Sequence, residues 1–317
     1  MSDTMHVRGA VTSTSPHRLC RPAAQEPHSG ARVAREFVHR LSVDDILITS
    51  WQRVDDRHFS VSARWPHDHG YFTPRPLILT AETIRQAGLL LSHAELGVPV
   101  GHHFILEDLA FTMHPERLDT DTGPTLLRID VVCGNLRMRA GMLASGRFGM
   151  TAHTPGGIVA TGHSHVTVAS PAAYRRIRGE RLTARHTPGL LPIPIPPQLT
   201  GSDTEHEVLL SPAGGPNRWL LRIAPGHAAV VKPTSDHVPG MVLVDAALQA
   251  AYALTAPDRF VPHTLGTEFH RYAEHGTPCV LEARRVPLPG TTTVQVTGVQ
   301  DGETVFVSTF TAPDGRG

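Results

Sequence analysis

Lysine is almost absent from this sequence. Lys232 is the only one in 317 residues, and basic charge rests on arginine. Lysine and arginine together number 29 and are matched by 29 acidic residues. That balance excludes a nucleic-acid binder working through bulk positive charge. Cysteine is nearly as scarce. Cys20, Cys133 and Cys279 are odd in number and far apart. They build neither a disulfide framework nor a paired-cysteine metal site, so a reducing cytoplasm is the expected compartment. Apolar runs are short. None approaches the ~18 residues of a membrane span, and the stretch MSDTMHVRGAVTSTSPHRLC has no apolar core after its charges, so neither membrane nor signal peptide is expected. Glycine-rich phosphate loops and HExxH or CxxC spacings are missing too. The histidine clusters at 67–69, 102–103 and 163–165 follow no zinc pattern, so no metal and no cofactor is expected.

What is present is a 40% hydrophobic share, enough for the core of one large domain or two ordinary ones. Residues 1–34 are rich in Ser, Thr, Pro, Gly and Arg without periodicity and read as a disordered tail. Strand patterns dominate from residue 35. HFSVSARW (58–65) alternates Phe59, Val61 and Ala63 inward against Ser60, Ser62 and Arg64 outward. AETIRQAGLLLSHAELGVPVG (81–101) reads as a long apolar helix, with Thr80 as N-cap and Gly97 and Pro99 at its end. HHFILEDLAF, TLLRIDVVCG, LRMRAGMLASGRF and GIVATGHSHVTVA follow as strand-like runs. Residues 171–204 are first basic, then proline-rich, and read as a linker.

Beyond the linker the plan repeats. Short strands lead to the helix VPGMVLVDAALQAAYAL, stopped by Pro257, and four strand-like runs close the chain. The sequence therefore reads as two repeats, 35–170 and 205–317. Both helices are apolar nearly all round, so each must be wrapped on most sides. An antiparallel sheet curled about one central helix does this. The expected class is α+β, a double hotdog, with the two sheets joined edge to edge so that an aggregation-prone edge is covered.

Polar residues on these helices are the candidates for chemistry. Glu82, Arg85 and Gln86 are spaced i, i+3, i+4 and share one face. A partly desolvated Glu82 would have a raised pKa and could act as a general base, with the helix N-terminus about one turn away to hold an oxyanion. The same spacing also fits an internal Glu82–Arg85 ion pair. His93 lies on nearly the same stripe, as a closing residue or a structural histidine. Superposing the helices pairs Glu82 with Asp245, Arg85 with Leu248 and Gln86 with Gln249.

DHVPGMVLVDAALQA resembles the helix entry of hotdog acyl-carrier-protein dehydratases. Pro239 and Gly240 turn the chain into the helix, and Asp245 holds the acid position. Asp245 as an acid facing the acyl group and Asp245 as a relic of duplication both stay open. YRRIRGER (174–181) is either a surface for an acidic carrier protein or an exposed basic linker.

The stretches VHRLSVDDILITSWQR, FSVSARWP, AETIRQAGLLLSHAELGVPVGHHF, SPAAYRRIRG and DHVPGMVLVDAALQAA together resemble the A-factor (gamma-butyrolactone) biosynthesis family of actinobacterial double-hotdog proteins. The resemblance implies an acyltransferase. It would move a beta-ketoacyl group from acyl carrier protein to the hydroxyl of dihydroxyacetone phosphate, in the making of a gamma-butyrolactone signal that controls antibiotic production. It implies Glu82 and Asp245 as catalytic carboxylates, with Glu82 as the base that takes the acceptor's proton, and Arg85, Gln86, Gln249, Gly240 and His237 against substrate. Leu248 stands where the family has arginine, which leaves Arg85 or Lys232 for the acceptor phosphate, unless the acceptor differs or the second site is inactive. A thioesterase or hydroxyacyl dehydratase, and a non-catalytic acyl- or lactone-binding module, are the competing readings. Homodimerisation stays open.

Overall fold

The structure is a computed structural model that describes residues 33–72, 75–118, 123–183, 190–227 and 235–314. The predicted tail, apart from Val33 and Ala34, lies outside these residues. The alternation expected at HFSVSARW is realised in β2 (His58–Trp65), where Phe59, Val61 and Ala63 are buried. It pairs with the edge strand β1 (Ile48–Arg53).

The first half continues through α1 (Pro76–Ala94), β3 (His103–Met113), β4 (Thr125–Arg139), β5 (Met142–Thr154) and β6 (Gly157–Ala169). The expected single run LRMRAGMLASGRF is instead a hairpin. Ala140 and Gly141 both take positive φ, 50° and 79°, the conformation a tight two-residue turn demands. The linker contributes α2 (Pro171–Arg178), whose N-cap Ser170 accepts a hydrogen bond from the Ala173 amide. The second half holds β7 (Leu210–Pro212), β8 (Arg218–Leu221), α3 (Gly240–Thr255), β9 (Thr264–Phe269), β10 (Cys279–Leu288), β11 (Thr291–Gln300) and β12 (Glu303–Pro313).

All twelve strands form one sheet in the order β1-β2-β4-β5-β6-β3-β9-β12-β11-β10-β8-β7. The order is a palindrome of the two halves. β3 and β9 meet at its centre as antiparallel partners, with Leu109 opposite Thr267 and Phe111 opposite Leu265. The sheets join edge to edge, and neither central edge is left open for aggregation. Each half curls around its own helix, and α1 and α3 touch each other. Among the described residues no helix is long and apolar enough to cross a membrane.

Helix α1 starts five residues earlier than Ala81. Pro76 sits at its first position, where proline's fixed φ and missing N–H suit helix initiation. Thr80 is therefore not the N-cap. It lies inside the helix, and its hydroxyl donates to the Pro76 carbonyl at 2.8 Å. Helix α3 begins at Gly240, and Pro257 follows its C-cap Ala256.

Candidate active site

The two glutamines predicted to face substrate do something else, and they do it twice. Gln86 Oε1 accepts from the Leu47 amide at 2.9 Å, and its Nε2 donates to the Asp45 carbonyl at 2.8 Å. Gln249 Oε1 accepts from the Leu209 amide at 2.8 Å, and its Nε2 donates to the Glu207 carbonyl at 3.0 Å. Each side-chain amide thus stands in for a missing strand partner and fastens the chain entering β1 or β7 to the central helix. Both are buried and saturated, which leaves them structural rather than substrate-binding.

Glu82 is fully buried. Arg85 grips it with Nε on Oε2 at 2.9 Å and Nη2 on Oε1 at 2.8 Å. Arg40, from the segment before β1, adds Nε at 3.0 Å and Nη2 at 2.6 Å on Oε1. Gln86 Nε2 donates at 2.8 Å to the same oxygen. Burial alone would push the carboxyl up, but the Arg85 and Arg40 guanidiniums outweigh it and hold the pKa at about 2. The raised pKa expected of a base is not there. Nor is an N-terminus one turn away: six residues separate Pro76 from Glu82, roughly 9 Å of helix rise. Glu82 is a permanent anion that orients two arginines. Among the described residues Glu82 is the one acid paired with these two arginines, so the cluster carries one positive charge in excess. Nη1 of each arginine makes no hydrogen bond among the described residues.

Asp245 is the opposite case. It is also buried, but burial raises its pKa against the opposing pull of Arg75, Tyr71 and His227. Tyr71 Oη donates to its Oδ2 at 2.8 Å. Tyr71 comes from the lead-in to α1, so the first repeat plugs the acid of the second. Arg75 stacks over the Tyr71 ring at 5.1 Å and pairs with Glu207 at 2.8 Å. Asp245 is not among the residues that line the cavity of Arg40 and Arg85.

The large cavity, of about 370 Å³, lies on the Glu82 side. Arg40, Arg85 and Gly88 form part of one wall, and His237, Gly240 and Leu243 part of the other. His237 comes from the lead-in to α3 and lines the same cavity as Arg40 and Arg85. Its Nδ1 lies 3.0 Å from Asp236 Oδ1 and 3.3 Å from Tyr174 Oη. A carboxylate at Nδ1 fixes the proton there and leaves Nε2 as the basic nitrogen. Burial lowers the His237 pKa, against the upward pull of Asp236. Asp236 is held below its ordinary range, because hydrogen bonds from Arg178, His237 and Tyr174 outweigh its burial.

Arg178 was expected on a solvated basic linker. It is buried, with Nε on Asp236 at 2.6 Å and both terminal nitrogens on Glu274 at 2.7 Å. Gly240 opens α3 with no side-chain cap. A Cβ there would meet the Phe269 ring at 3.2 Å, so glycine lets the helix end approach the cavity wall.

Of the other predicted residues, Lys232 lies outside the described residues. His93 is structural: Nδ1 lies 2.8 Å from the Val98 carbonyl and Nε2 3.0 Å from His39 Nε2. The clustered histidines on β6 sit beside acids, His165 by Glu107 at 3.0 Å and His163 by Asp108 at 3.5 Å. Arg40, Tyr71 and Asp236 were missed. Arg40 is 42 residues from Glu82 and no spacing rule connects them. Asp236 adjoins His237, and an Asp-His pair at a helix entry was a readable signal.

Two hotdog repeats in one chain, with an arginine- and histidine-lined cavity between the first helix and the lead-in to the second, define a double-hotdog protein. The sequence matches the family described as A-factor biosynthesis hotdog domain over residues 23–170 and 184–312. The chain belongs to that family. It is 41% identical over 283 residues to a 2-oxo-3-(phosphooxy)propyl 3-oxoalkanoate synthase of Streptomyces virginiae, covering 86% of this chain and 95% of that protein. It is 39% identical over 295 residues to a protein of the same name from Streptomyces griseus, covering 90% and 97%. Among solved structures it is similar to an acyl-ACP thioesterase from Bacteroides thetaiotaomicron, at TM-score 0.47 and 11% identity, covering 79% of this chain and 96% of that one.

Proposed function

We propose that this protein transfers a 3-oxoacyl group from an acyl-carrier-protein thioester to the hydroxyl of dihydroxyacetone phosphate, as the first committed ester of a gamma-butyrolactone signal. The names of its Streptomyces relatives support the product, a 2-oxo-3-(phosphooxy)propyl 3-oxoalkanoate. The observation that carries the reading onto this chain is the excess positive charge of Arg40 and Arg85 in one cavity with His237, whose Nδ1 is held by Asp236. A phosphate dianion needs fixed guanidinium forks, and a hydroxyl nucleophile needs a base near neutrality.

The acceptor phosphate binds the free Nη1 groups of Arg40 and Arg85, which Glu82 holds in place. His237 Nε2 takes the proton of the acceptor hydroxyl as its oxygen attacks the thioester carbonyl. The oxyanion forms near the uncapped amides at the start of α3, Gly240 and Met241, where the helix dipole favours negative charge. Collapse breaks the carbon–sulfur bond. The thiolate leaves with the proton held by His237, giving ester and free carrier thiol.

The test is a product assay with a 3-oxoacyl carrier thioester, comparing dihydroxyacetone phosphate with dihydroxyacetone and reading products by mass. Ester should form with the phosphorylated acceptor. An Arg85→Ala protein should lose about 10- to 100-fold in kcat/KM for it, the value of a charge-assisted hydrogen bond, and nothing for dihydroxyacetone. Free acid or enoyl product in place of ester would assign a thioesterase or a dehydratase instead.

A further inference from the structure

Gly88 is one turn beyond Arg85 on α1, in the interior of a long helix. Apart from proline, glycine is the residue least suited to that place. The protein's own packing does not demand it: the nearest atoms to a Cβ there would be those of the Phe148 ring and Ser164 Oγ, at 3.8 Å, an ordinary contact distance. Gly88 lines the cavity, so the space over it belongs to a ligand. Across from it stands Ser164 of β6. Ser164 is 2% exposed and lines the same cavity, yet its hydroxyl makes no hydrogen bond among the described residues. A hydroxyl that faces a cavity with no such partner is free to donate to a ligand there. The same cavity is lined by the apolar Leu89, Leu106, Val166, Leu243 and Phe269, and by Tyr272, whose hydroxyl is buried without a partner among the described residues.

We propose that Ser164 donates its hydroxyl hydrogen bond to the 3-oxo oxygen of the acyl group, and that Gly88 keeps the channel open for that part of the chain. The inference rests on the transferase reading above and names the residue that selects its donor. Three residues of α1, roughly 4.5 Å of rise, separate Gly88 from Arg85, which holds the acceptor. The 3-oxo oxygen is carried two carbons beyond the reacting carbonyl, at the first turn past the reacting centre. Ser164, beside Gly88, offers its hydroxyl at that depth of the cavity. A plain alkanoyl chain entering there would leave the hydroxyl unpaired, which is how a polar group in an apolar wall discriminates.

The experiment uses the full chain and two amide analogues of the donor, 3-oxoalkanoyl-pantetheine amide and alkanoyl-pantetheine amide of equal chain length. Dissociation constants are measured for wild type, Ser164→Ala and Gly88→Ala. Wild type should prefer the 3-oxo amide. Ser164→Ala should weaken the 3-oxo amide roughly 10- to 100-fold and leave the alkanoyl amide unchanged. Gly88→Ala should bind both amides less tightly while melting no lower than wild type, since its methyl fits the helix but enters the channel. Equal weakening of both amides by Ser164→Ala, or none, overturns the assignment, as does unaltered binding to Gly88→Ala. Turnover is read separately on the same proteins. Wild type that selects the 3-oxo amide but forms no ester overturns the transferase reading and not the assignment of Ser164.

Discussion

Replacing His237 with asparagine should lower kcat for ester formation by about 10²- to 10⁴-fold, the usual contribution of a positioned proton acceptor. The fold should survive, because the His237 ring borders a cavity rather than filling a core. Asparagine keeps a donor toward Asp236 but has no basic nitrogen. The pH profile of the wild-type enzyme supplies an independent check. Burial depresses the His237 pKa below its ordinary 6.5, with Asp236 opposing. The basic form is the active one, so kcat/KM should rise with pH to a plateau, with the midpoint of the rise below 6.5. An asparagine variant that retains wild-type kcat would remove His237 from the chemistry.

Glu82→Gln should be the most destabilising single change in the site. It removes the one anion between two buried or half-buried arginines, and breaking a buried pair from one side costs about 3–5 kcal/mol. The pH dependence follows from the sign of the shift. The folded-state pKa is about 2 against an ordinary 4.5. This depressed group contributes stability above the unfolded value and loses it as pH falls toward the folded one. Wild type should therefore lose about 3 kcal/mol between pH 5 and pH 2 through this group, and Glu82→Gln should lack that part of the acid limb. Urea unfolding at pH 7 and pH 3 measures both effects. A variant as stable as wild type at pH 7 would mean that Glu82 is not the anchor of the two arginines. In surviving folded protein, the lost activity should appear as a raised KM for the phosphorylated acceptor, because the guanidiniums are no longer oriented.

Much of this fold is written in local pattern. The two all-apolar helices, AETIRQAGLLLSHA and MVLVDAALQAAYAL, declare that something must wrap them, and the alternation at Phe59, Val61 and Ala63 supplies the wrapping sheet. The start of α1 was misread because Thr80 looks like a cap, while the stronger signal, Pro76 at the first helical position, lies in an apolar run. The site was legible in part. The face Glu82–Arg85–Gln86 was visible by spacing, but its chemistry was not. Whether a buried carboxylate is raised or lowered depends on partners distant in sequence, and Arg40 decided it. The contrast between the two acids has the same origin. Both are buried on matching helices, yet Glu82 receives two guanidiniums and Asp245 a phenol. Lead-in segments made that difference. One brings His237 to the cavity, and the other brings the Tyr71 hydroxyl onto Asp245. No spacing rule within either helix carries that information.

The most direct test of the central claim is a crystal structure of the protein with dihydroxyacetone phosphate, which has no donor to react with. The phosphate should lie between Arg40 and Arg85, with the free hydroxyl in hydrogen-bond reach of His237 Nε2. Phosphate bound beside Arg75 and Asp245, with Tyr71 displaced, would place the working site in the other half and contradict the account.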